Sequence, residues 1–599
     1  MTTNAPAPLL SRRQINLIVG GLMVGMFLAA LDQMIVATAI RTIGDDLNGL
    51  TLQAWVTTAY MIAATISTPL YGKLSDIFGR KPLYVFSLSA FVLGSLLCGT
   101  ATSMYELAAY RGVQGLGAGG LMALALIILG DMLSPRERTK YQAFFFVVWG
   151  VASVLGPVLG GFFADADQLL GFAGWRWIFL MNVPLGAVAL MVILRVLHLP
   201  ATHKRVRIDW WGVATLVIAL VPMLLVVEQG RDWGWTSPLV LTLIGLALAG
   251  IVGFVRAELV AGDDALLPPR IFRNRTVSVS TGLNFIMGFA MFGGMAGLPL
   301  YTQISKGMSP TASGLAMLPM TIGIMMMAGI SARVIHQTGR YRIFPIIGTS
   351  LLVIACIDLS TLSADSPLWH LFVGAALFGL GLGGVMQPNM LAVQNAVQPR
   401  DMGTGSASVM FFRQIGGSLG TAVFLSVMFG TVASDIGDEL SAASQTAQFQ
   451  EVIADPATAE NPTNAAIIAT LQAGTLDAGE DAGLSLDDTS FLQDADPVLA
   501  APIREGFADA ITRVLLMSGF IAIGGLLFAL FIPHVPLQEK SGLETMRDEE
   551  AAKAAGGRGA DVEGEGRADV DGEGREDATA DARDGDATEP ADASGRPEA

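Results

Sequence analysis

The sequence has little charge and few cysteines for its length. Only 15% of its 599 residues are charged, whereas 52% are hydrophobic. A soluble globular chain carries about 25% charged residues, so this composition favours a bilayer as the surrounding solvent. The two cysteines, Cys98 and Cys356, lie inside apolar runs. The sequence therefore supports neither a disulfide framework nor a thiolate metal site.

Several chemistry-bearing motifs are also missing. The sequence contains no GxxxxGK[ST] phosphate loop, no HExxH and no Cys/His cluster with metal-ligand spacing. An ATP-driven pump and a membrane metalloenzyme are thus disfavoured. We expect a protein that is not an enzyme, needs no cofactor or metal, and takes its energy from an ion gradient.

Apolar runs near the ~20 residues that cross a bilayer recur along the chain. They predict an all-α polytopic membrane protein of fourteen spans, with a six-helix bundle at 15–197, an additional helix pair at 210–256, and a second six-helix bundle at 276–430 and 508–532. The fourteen runs lie at 15–40, 52–71, 82–101, 105–129, 141–163, 177–197, 210–228, 238–256, 276–302, 311–332, 343–363, 368–394, 404–430 and 508–532.

Basic residues fix the orientation of these spans. Twenty Lys and Arg fall in the loops on the side of the N-terminus, against four in the short loops of the other side. The positive-inside rule then places residues 1–14 and the C-terminus in the cytoplasm of a plasma membrane protein.

The acidic residues are concentrated in two appendages. Residues 431–507 hold fourteen Asp and Glu against the single Arg504, and residues 541–599 hold eighteen against seven bases. This pattern argues against a nucleic-acid partner. We expect a flexible extracytoplasmic loop at 431–507, with a short helix near 465–474, and a disordered cytoplasmic tail at 541–599. A docking role for the tail is the alternative.

Two charged residues lie inside predicted spans at matching depths. Asp32 is about eight residues, or ~12 Å, from the outer end of the first run, and Arg111 is about six residues, or ~9 Å, from the outer end of the fourth. Charges inside a bilayer are costly and usually functional. If Arg111 stabilises the Asp32 carboxylate while burial opposes it, Asp32 can act as a proton switch. A static ion pair that only locks the two helices is the alternative.

A third intramembrane charge, Arg413, lies about nine residues into the thirteenth run without an acid at its depth. The amides of Gln387 and Asn389 on the twelfth run could reach its level. One interpretation is packing through these amides, and the other is a cavity-facing cation that suits an anionic or amphiphilic group.

The sequence GKLSDIFGRK at 72–81 matches the signature loop GxLxDxxGRK of the major facilitator superfamily. The order of motifs resembles the fourteen-span drug:proton antiporter branch of that family. In the family this loop is a charge relay that closes the cytoplasmic side. The resemblance therefore implies a gate made of the motif positions of this loop: Gly72, Asp76, Gly79, Arg80 and Lys81.

Further stretches carry the same resemblance. RGVQGLGAGG, from Arg111, resembles the family's proton-transfer motif, and GVASVLGPVLGG at 150–161 resembles a motif associated with exporters. Efflux is therefore implied, with small or bending residues as the motif positions: Gly150, Gly156, Pro157, Gly160 and Gly161. LDQMIVATAI at 31–40, WRWIFLMNVPLG at 175–186 and RQIGGSLGTA from Arg413 also resemble branch motifs.

The second gate loop departs from the family pattern. SARVIHQTGRYR at 331–342 keeps Gly339 and Arg340 but has His336 where an acid is common. We expect this second half-gate to be weaker than the first, or to respond differently to pH.

The resemblance implies alternating access, in which two bundles rock about a central site and exchange amphiphilic substrates against protons. Three functions remain open: a multidrug exporter; a dedicated exporter of an endogenous metabolite or envelope lipid, with an envelope partner at the outer loop; and a non-transporting scaffold. The intact gate loop and Asp32 oppose the scaffold, and we expect a monomer.

Overall fold

The computed structural model describes residues 12–47, 53–164, 166, 168–197, 209–398, 401–459, 461–473, 492 and 494–537. The tail at 541–599, predicted to be disordered, lies outside the described residues.

The first half of the chain forms seven helices and one small hairpin. The hairpin, β1 (Gln168–Leu169) and β2 (Phe172–Ala173), is antiparallel and turns through Leu170 and Gly171, both with positive φ. The helices are α1 (Arg12–Asp46), α2 (Gln53–Phe78), α3 (Arg80–Thr100), α4 (Met104–Met132), α5 (Pro135–Ala164), α6 (Arg176–Leu180) and α7 (Asn182–Val196).

The rest of the described chain is also helical. Helices α9, α11 and α19 begin with a Ser or Asp cap followed by proline, a favoured helix start. The helices are α8 (Trp210–Trp233), α9 (Pro238–Ala261), α10 (Arg275–Leu300), α11 (Pro310–Ala316), α12 (Leu318–Thr338), α13 (Ile343–Leu359), α14 (Leu368–Ala396), α15 (Met402–Ala443), α16 (Ala447–Ala454), α17 (Pro456–Ala459), α18 (Pro462–Ala473) and α19 (Pro497–Leu530).

Helix contacts divide the transmembrane part into two bundles and a side pair. Helices α1–α5 and α7 pack among themselves, and α10, α12–α15 and α19 do the same. The bundles meet where α15 contacts α2 and where α12 contacts α5. Helices α8 and α9 pack on each other, and α8 alone of the pair rests substantially on the bundles, against α2 and α15. The additional pair is thus peripheral.

Close helix packing in the first bundle depends on glycine. A Cβ at Gly94 of α3 would lie 2.5 Å from the backbone nitrogen of Gln114, and one at Gly117 of α4 would lie 2.5 Å from the carbonyl oxygen of Ser87. Only a residue without a side chain allows such an approach between backbones.

Many helices of the described chain suit a bilayer. Ten are long and apolar enough to cross one, and α9 exposes large apolar residues, including Val252, Leu259 and Val260, along most of its length. The protein is an all-α polytopic membrane protein. The count of fourteen crossings stays a prediction.

Several predicted boundaries need correction. Helix α1 extends to Asp46 instead of residue 40, because polar residues ended the apolar run while the helix continued. The sixth and tenth predicted spans are each interrupted, near Met181 and Met317. The predicted flexible loop at 431–507 is helical over most of 431–473, and Phe449 and Ile467 are buried in the core of the second bundle.

Candidate functional site

A buried polar network occupies the centre of the first bundle. Arg111 forms an ion pair with Asp32 and donates from Nη1 to Gln114 Oε1 at 2.8 Å. Gln114 Nε2 donates to Asp32 Oδ1 at 2.8 Å, and Asn182 Nδ2 donates to the same oxygen at 3.0 Å. Both amides also donate to Ser95 Oγ, at 3.0 and 2.9 Å. We call these five residues the Asp32 network.

The Asp32 network joins four helices, α1, α3, α4 and α7, and α2 adds an aromatic wall. The Tyr60 ring lies 4.0 Å from the guanidinium carbon of Arg111, a cation–π distance. The Asp32 side chain is fully buried and that of Arg111 is 2% exposed. Three donors stabilise the Asp32 carboxylate against this burial, so gaining or losing one proton would rearrange all of them.

Asp32 and Arg111 are in contact, although the depth argument for Asp32 used too short a helix. Fourteen residues separate Asp32 from the end of α1, instead of about eight. Sequence reasoning missed Gln114, Ser95 and Asn182. Gln114 carried a usable signal, because it lies three residues after Arg111 and so on the same helix face.

A second charged cluster closes one end of the interface between the bundles. We call the membrane face at which α1 begins the inner face. There, Arg80 pairs with Asp76 and with Asp131 of α4, each at 2.6 Å. Asp76 Oδ2 accepts from the backbone nitrogen of Thr404 at 3.3 Å and from its Oγ1 at 3.1 Å. We call Asp76, Arg80, Asp131 and Thr404 the inner latch.

The direction of α15 stabilises the inner latch electrostatically. Thr404 lies in the first turn of this helix, where unpaired N–H groups and the helix dipole attract a negative charge. Asp76 of the first bundle therefore caps a helix of the second. The prediction named Asp76 and Arg80 but missed Asp131 and Thr404.

The other predicted gate residues have separate roles. Gly72 packs on α15, where a Cβ would lie 3.0 Å from the carbonyl oxygen of Gly403. Gly79 has a φ of 90°, which favours glycine between α2 and α3. Lys81 Nζ donates to the carbonyl oxygen of Leu194 at 2.8 Å, so it binds α7 of its own bundle instead of the partner bundle.

Gln394 of α14 forms a second junction between the bundles. Its Oε1 accepts from Arg138 Nη1 at 2.9 Å and from Gln142 Nε2 at 3.3 Å, both on α5. Its Nε2 donates to Ser406 Oγ of α15 at 3.0 Å. Arg138 also donates to the carbonyl oxygens of Gly130 and Leu133, which end α4. In the sequence, Arg138 is one of the twenty basic residues in the loops on the side of the N-terminus.

A hydrogen bond and two ion pairs hold the loop after α9 beside the inner latch. Lys73 Nζ donates to the carbonyl oxygen of Asp263, just beyond α9, at 2.9 Å. Arg270 pairs with Asp263 at 2.7 Å and with Asp401, the residue before α15, at 2.8 Å. The loop after α9 thus contacts both bundles at the inner face.

The glycines of the predicted exporter motif make helix contacts of different kinds. A Cβ at Gly150 would lie 2.9 Å from Thr321 Cγ2 of α12, in the other bundle. Gly156 packs against Met34 of α1, whereas Gly161 has open space around it. Gly160 and Pro157 lie within α5, and the side chain of Pro157 is outside the described part of the chain.

The three predicted residues of the second bundle are only partly brought together. Arg413 Nη1 lies 4.0 Å from Met386 Sδ, and none of the ion pairs between described residues includes Arg413. Asn389 Nδ2 donates to the carbonyl oxygen of Ser280 at 2.9 Å, and its Oδ1 has no hydrogen-bond partner among described residues. Of the two amides that could reach the level of Arg413, Asn389 therefore contacts Ser280 instead. Gln387 is buried one residue beyond Met386 on α14.

The second gate loop lacks the charge relay of the first. His336 and Arg340 are exposed at the end of α12, and neither takes part in an ion pair between described residues. Gly339 ends the helix with a φ of 70°, and its N–H donates to the carbonyl oxygen of Ile335 at 2.8 Å. The loop ends a helix, whereas the loop at 72–81 reaches across the interface. Within the described ranges, no group of three metal-ligating side chains is placed to hold a metal ion.

Comparison with known proteins supplies independent information. The family model described as Major Facilitator Superfamily matches residues 22–421. The chain is 33% identical over 549 residues to the multidrug transporter protein MdtP of Bacillus subtilis, covering 90% of this chain and 97% of that protein. It is also 33% identical over 428 residues to multidrug resistance protein 3 of the same organism, covering 71% and 81%. Among solved structures, the proton:xylose symporter XylE matches with a TM-score of 0.53 at 13% identity, covering 90% of this chain and 100% of that one.

Proposed function

The chain belongs to the Major Facilitator Superfamily, and we propose that within this family it is a proton-coupled exporter of amphiphilic drugs or toxic compounds. It is a multi-pass membrane transporter and not an enzyme. Both Bacillus relatives carry multidrug names, which supports efflux of this substrate class.

The Asp32 network is the observation that best supports proton coupling. Its carboxylate is fully buried, and its charge is balanced by Arg111 and two amide donors. In our proposal, a proton arriving from outside neutralises Asp32 and releases Arg111. Rearrangement of α1 and α4 then favours the other orientation of the bundles. Loss of the proton to the cytoplasm restores the ion pair and returns the transporter.

The inner latch supplies the second element of an alternating-access cycle. Asp76 holds the first turn of α15 only while the inner face is closed, so opening toward the cytoplasm must break these hydrogen bonds. We propose that the structure represents the inward-closed state. We further propose that substrate is released outward from this state while Asp32 exchanges its proton.

The excess of basic residues on the side of the N-terminus supports a plasma membrane protein with both termini in the cytoplasm. The inner face then faces the cytoplasm. We propose that the proton gradient is the energy source, that no cofactor takes part and that the transporter is a monomer.

A second candidate function rests on the outer segment. Helices α16–α18 follow directly from α15, and Phe449 and Ile467 attach them to the core. This ordered outer platform would suit an envelope partner that receives an endogenous metabolite or lipid. Export of one dedicated substrate is therefore the alternative to multidrug efflux.

Purified full-length protein in proteoliposomes tests the proposal. Under an imposed pH gradient, wild type should transport an amphiphilic dye, and Asp32→Asn should reduce gradient-driven transport to background. Because the amide oxygen of the introduced asparagine can still accept hydrogen bonds from the network, exchange of dye without a gradient should persist. Glu137→Gln is the matched control, since this acid is 48% exposed on α5.

A normal gradient-driven rate in Asp32→Asn would show that Asp32 is not the proton site. A parallel assay with a fluorescent lipid separates the two candidate functions. If the lipid moves and a panel of dyes does not, the dedicated exporter replaces the multidrug exporter.

A further inference from the structure

The second bundle contains a cation and polar atoms that the proton-coupling site does not use. Arg413 is partly buried on α15, and no carboxylate of a described residue lies within 4.0 Å of it. Its guanidinium instead lies against the sulfur of Met386, a weak acceptor. A guanidinium at this depth normally has an anionic partner, because burying an unpaired charge is costly.

Two neutral groups, one on α10 and one on α14, also lack partners among the described residues. Ser280 Oγ and Asn389 Oδ1 are buried without a hydrogen bond, and both residues are 0% exposed. The Asn389 amide already donates to the backbone carbonyl oxygen of Ser280, which holds the Asn389 side chain against α10 at this residue. Buried polar atoms without partners are rare, and a ligand, ion or water that binds them is one explanation for such atoms.

The helices place these groups within about two turns of one another. Met386, which contacts Arg413, and Asn389 are three residues apart and share one face of α14. On α10, Gly288 packs directly against the backbone of Arg413, and Ser280 lies about two helical turns before it. Two helical turns span about 11 Å, the size of a small polar headgroup with its first apolar atoms.

We propose that Arg413, Ser280 and Asn389 form a binding site for the anionic headgroup of an amphiphilic compound. The Arg413 guanidinium would donate to a carboxylate or phosphate oxygen, and the Ser280 hydroxyl would donate to the same group. Asn389 Oδ1 would accept from a hydroxyl or N–H next to it. Met386 offers an adaptable apolar surface to the body of the ligand. The assignment of this ligand as exported cargo rests on the proposed function.

Binding is tested on the full chain in nanodiscs without any gradient. The probes are rhodamine 110, which has a free carboxylate and N–H donors, and rhodamine 123, its methyl ester, compared by fluorescence anisotropy. Wild type should bind the acid at least about tenfold more tightly, the effect of one charge-assisted hydrogen bond. Arg413→Gln should remove this preference and leave ester binding unchanged or improved, whereas Arg413→Lys should retain most of it.

Two further variants keep the test decisive. Arg333→Gln, an exposed arginine at the end of α12, should leave both affinities unchanged. Ser280→Ala removes a single buried hydroxyl and should weaken binding of the acid by about three- to tenfold. If Arg413→Gln does not fold, the result for Ser280→Ala decides whether the proposed site binds the acid. Equal affinities in wild type, or an acid preference that survives both Arg413→Gln and Ser280→Ala, would overturn the proposal.

The source of the anion is resolved by lipid composition. Replacing phosphatidylcholine, whose headgroup has no net charge, with anionic phosphatidylglycerol should abolish the acid preference if an anionic lipid headgroup occupies the site, and should leave it intact if the site takes soluble acids. Either result supports an anion site. Asp32→Asn should keep the acid preference. A normal gradient-driven rate in Asp32→Asn with an intact acid preference would therefore count against proton coupling alone. Background transport in Asp32→Asn, together with equal affinities for acid and ester in wild type, would count against the anion site alone.

Discussion

Replacing Asp76 by asparagine isolates the contribution of charge to closure of the inner face. In the structure, Asp76 Oδ1 pairs with Arg80 at 2.6 Å, while Oδ2 accepts from the backbone nitrogen and hydroxyl of Thr404 at 3.3 and 3.1 Å. Asparagine keeps the shape and one acceptor oxygen but removes the negative charge. Of the Asp76 hydrogen bonds between described residues, those with Thr404 are the ones that join the two bundles.

The expected effect follows from these contacts. A hydrogen bond to a charged group contributes about 1.5–3 kcal/mol, against about 0.5–1.5 kcal/mol for a neutral one. Capping of the α15 N-terminus by a negative charge adds about 0.3–1 kcal/mol. Because the Asp76 side chain is 12% exposed, water screens little of this difference. We expect Asp76→Asn to destabilise the closed state by about 1.5–2.5 kcal/mol, roughly a 10- to 70-fold change in the ratio of closed to open protein.

Spin-label distance measurements read this ratio directly. Labels at Lys140→Cys on α5 and Arg333→Cys on α12 report the separation of the bundles at the inner face, since both positions are exposed. The native Cys98 and Cys356 are buried and should not react. Asp76→Asn should transfer population from the short-distance peak to a longer one.

Asp131→Asn is the matched control. Asp131 binds the same Arg80 at 2.6 Å and is 11% exposed, but among described residues its ion pair stays inside the first bundle. It should therefore change the distances much less than Asp76→Asn does. If both variants open the inner face equally, or if Asp76→Asn leaves the distances of wild type, capping of α15 by Asp76 does not control closure.

Two further predictions concern packing and the second junction. Gly94→Ala should lower stability by about 1–3 kcal/mol, seen as a lower thermal midpoint in detergent, because its Cβ would overlap the backbone of Gln114; Gly112→Ala, with nothing within 4 Å, should not lower it. Gln394→Leu should also favour the open inner face, by about 1–3 kcal/mol, because Arg138 loses its partner across the interface; unchanged spin-label distances would contradict this role.

The sequence predicted the charged parts of the site better than the neutral ones. Asp32 and Arg111 were recognisable because charges inside apolar runs are rare. Asn182 and Ser95 were not, since neutral polar residues in membrane helices are common and only the fold brings α3 and α7 beside α1. For Arg413, counting residues gave its depth in the membrane but not the helix face on which it lies. Asn389 at a similar level therefore turned out to face Ser280.

The predicted helix boundaries were wrong where a helix continues through polar residues. The polar end of α1 after residue 40 reads as loop by hydropathy, yet hydrogen bonding within a helix does not require apolar side chains. The acidic outer segment reads as disordered, but alanine is the best helix former and Phe449 and Ile467 supply enough apolar surface to hold it. Hydropathy located the membrane helices and missed their continuation into water.

Helix α15 runs without interruption for 42 residues. At 1.5 Å per residue it is about 63 Å long, twice the hydrocarbon thickness of a bilayer. Its first turn is held by Asp76, and its far end leads directly into α16. Such a rod acts as a lever, so a tilt of about 10° about its midpoint moves each end by about 5 Å. Release of the inner latch would thus be accompanied by displacement of α16–α18 at the opposite membrane face. A binder that immobilises α16–α18 would, in turn, hold the inner latch closed.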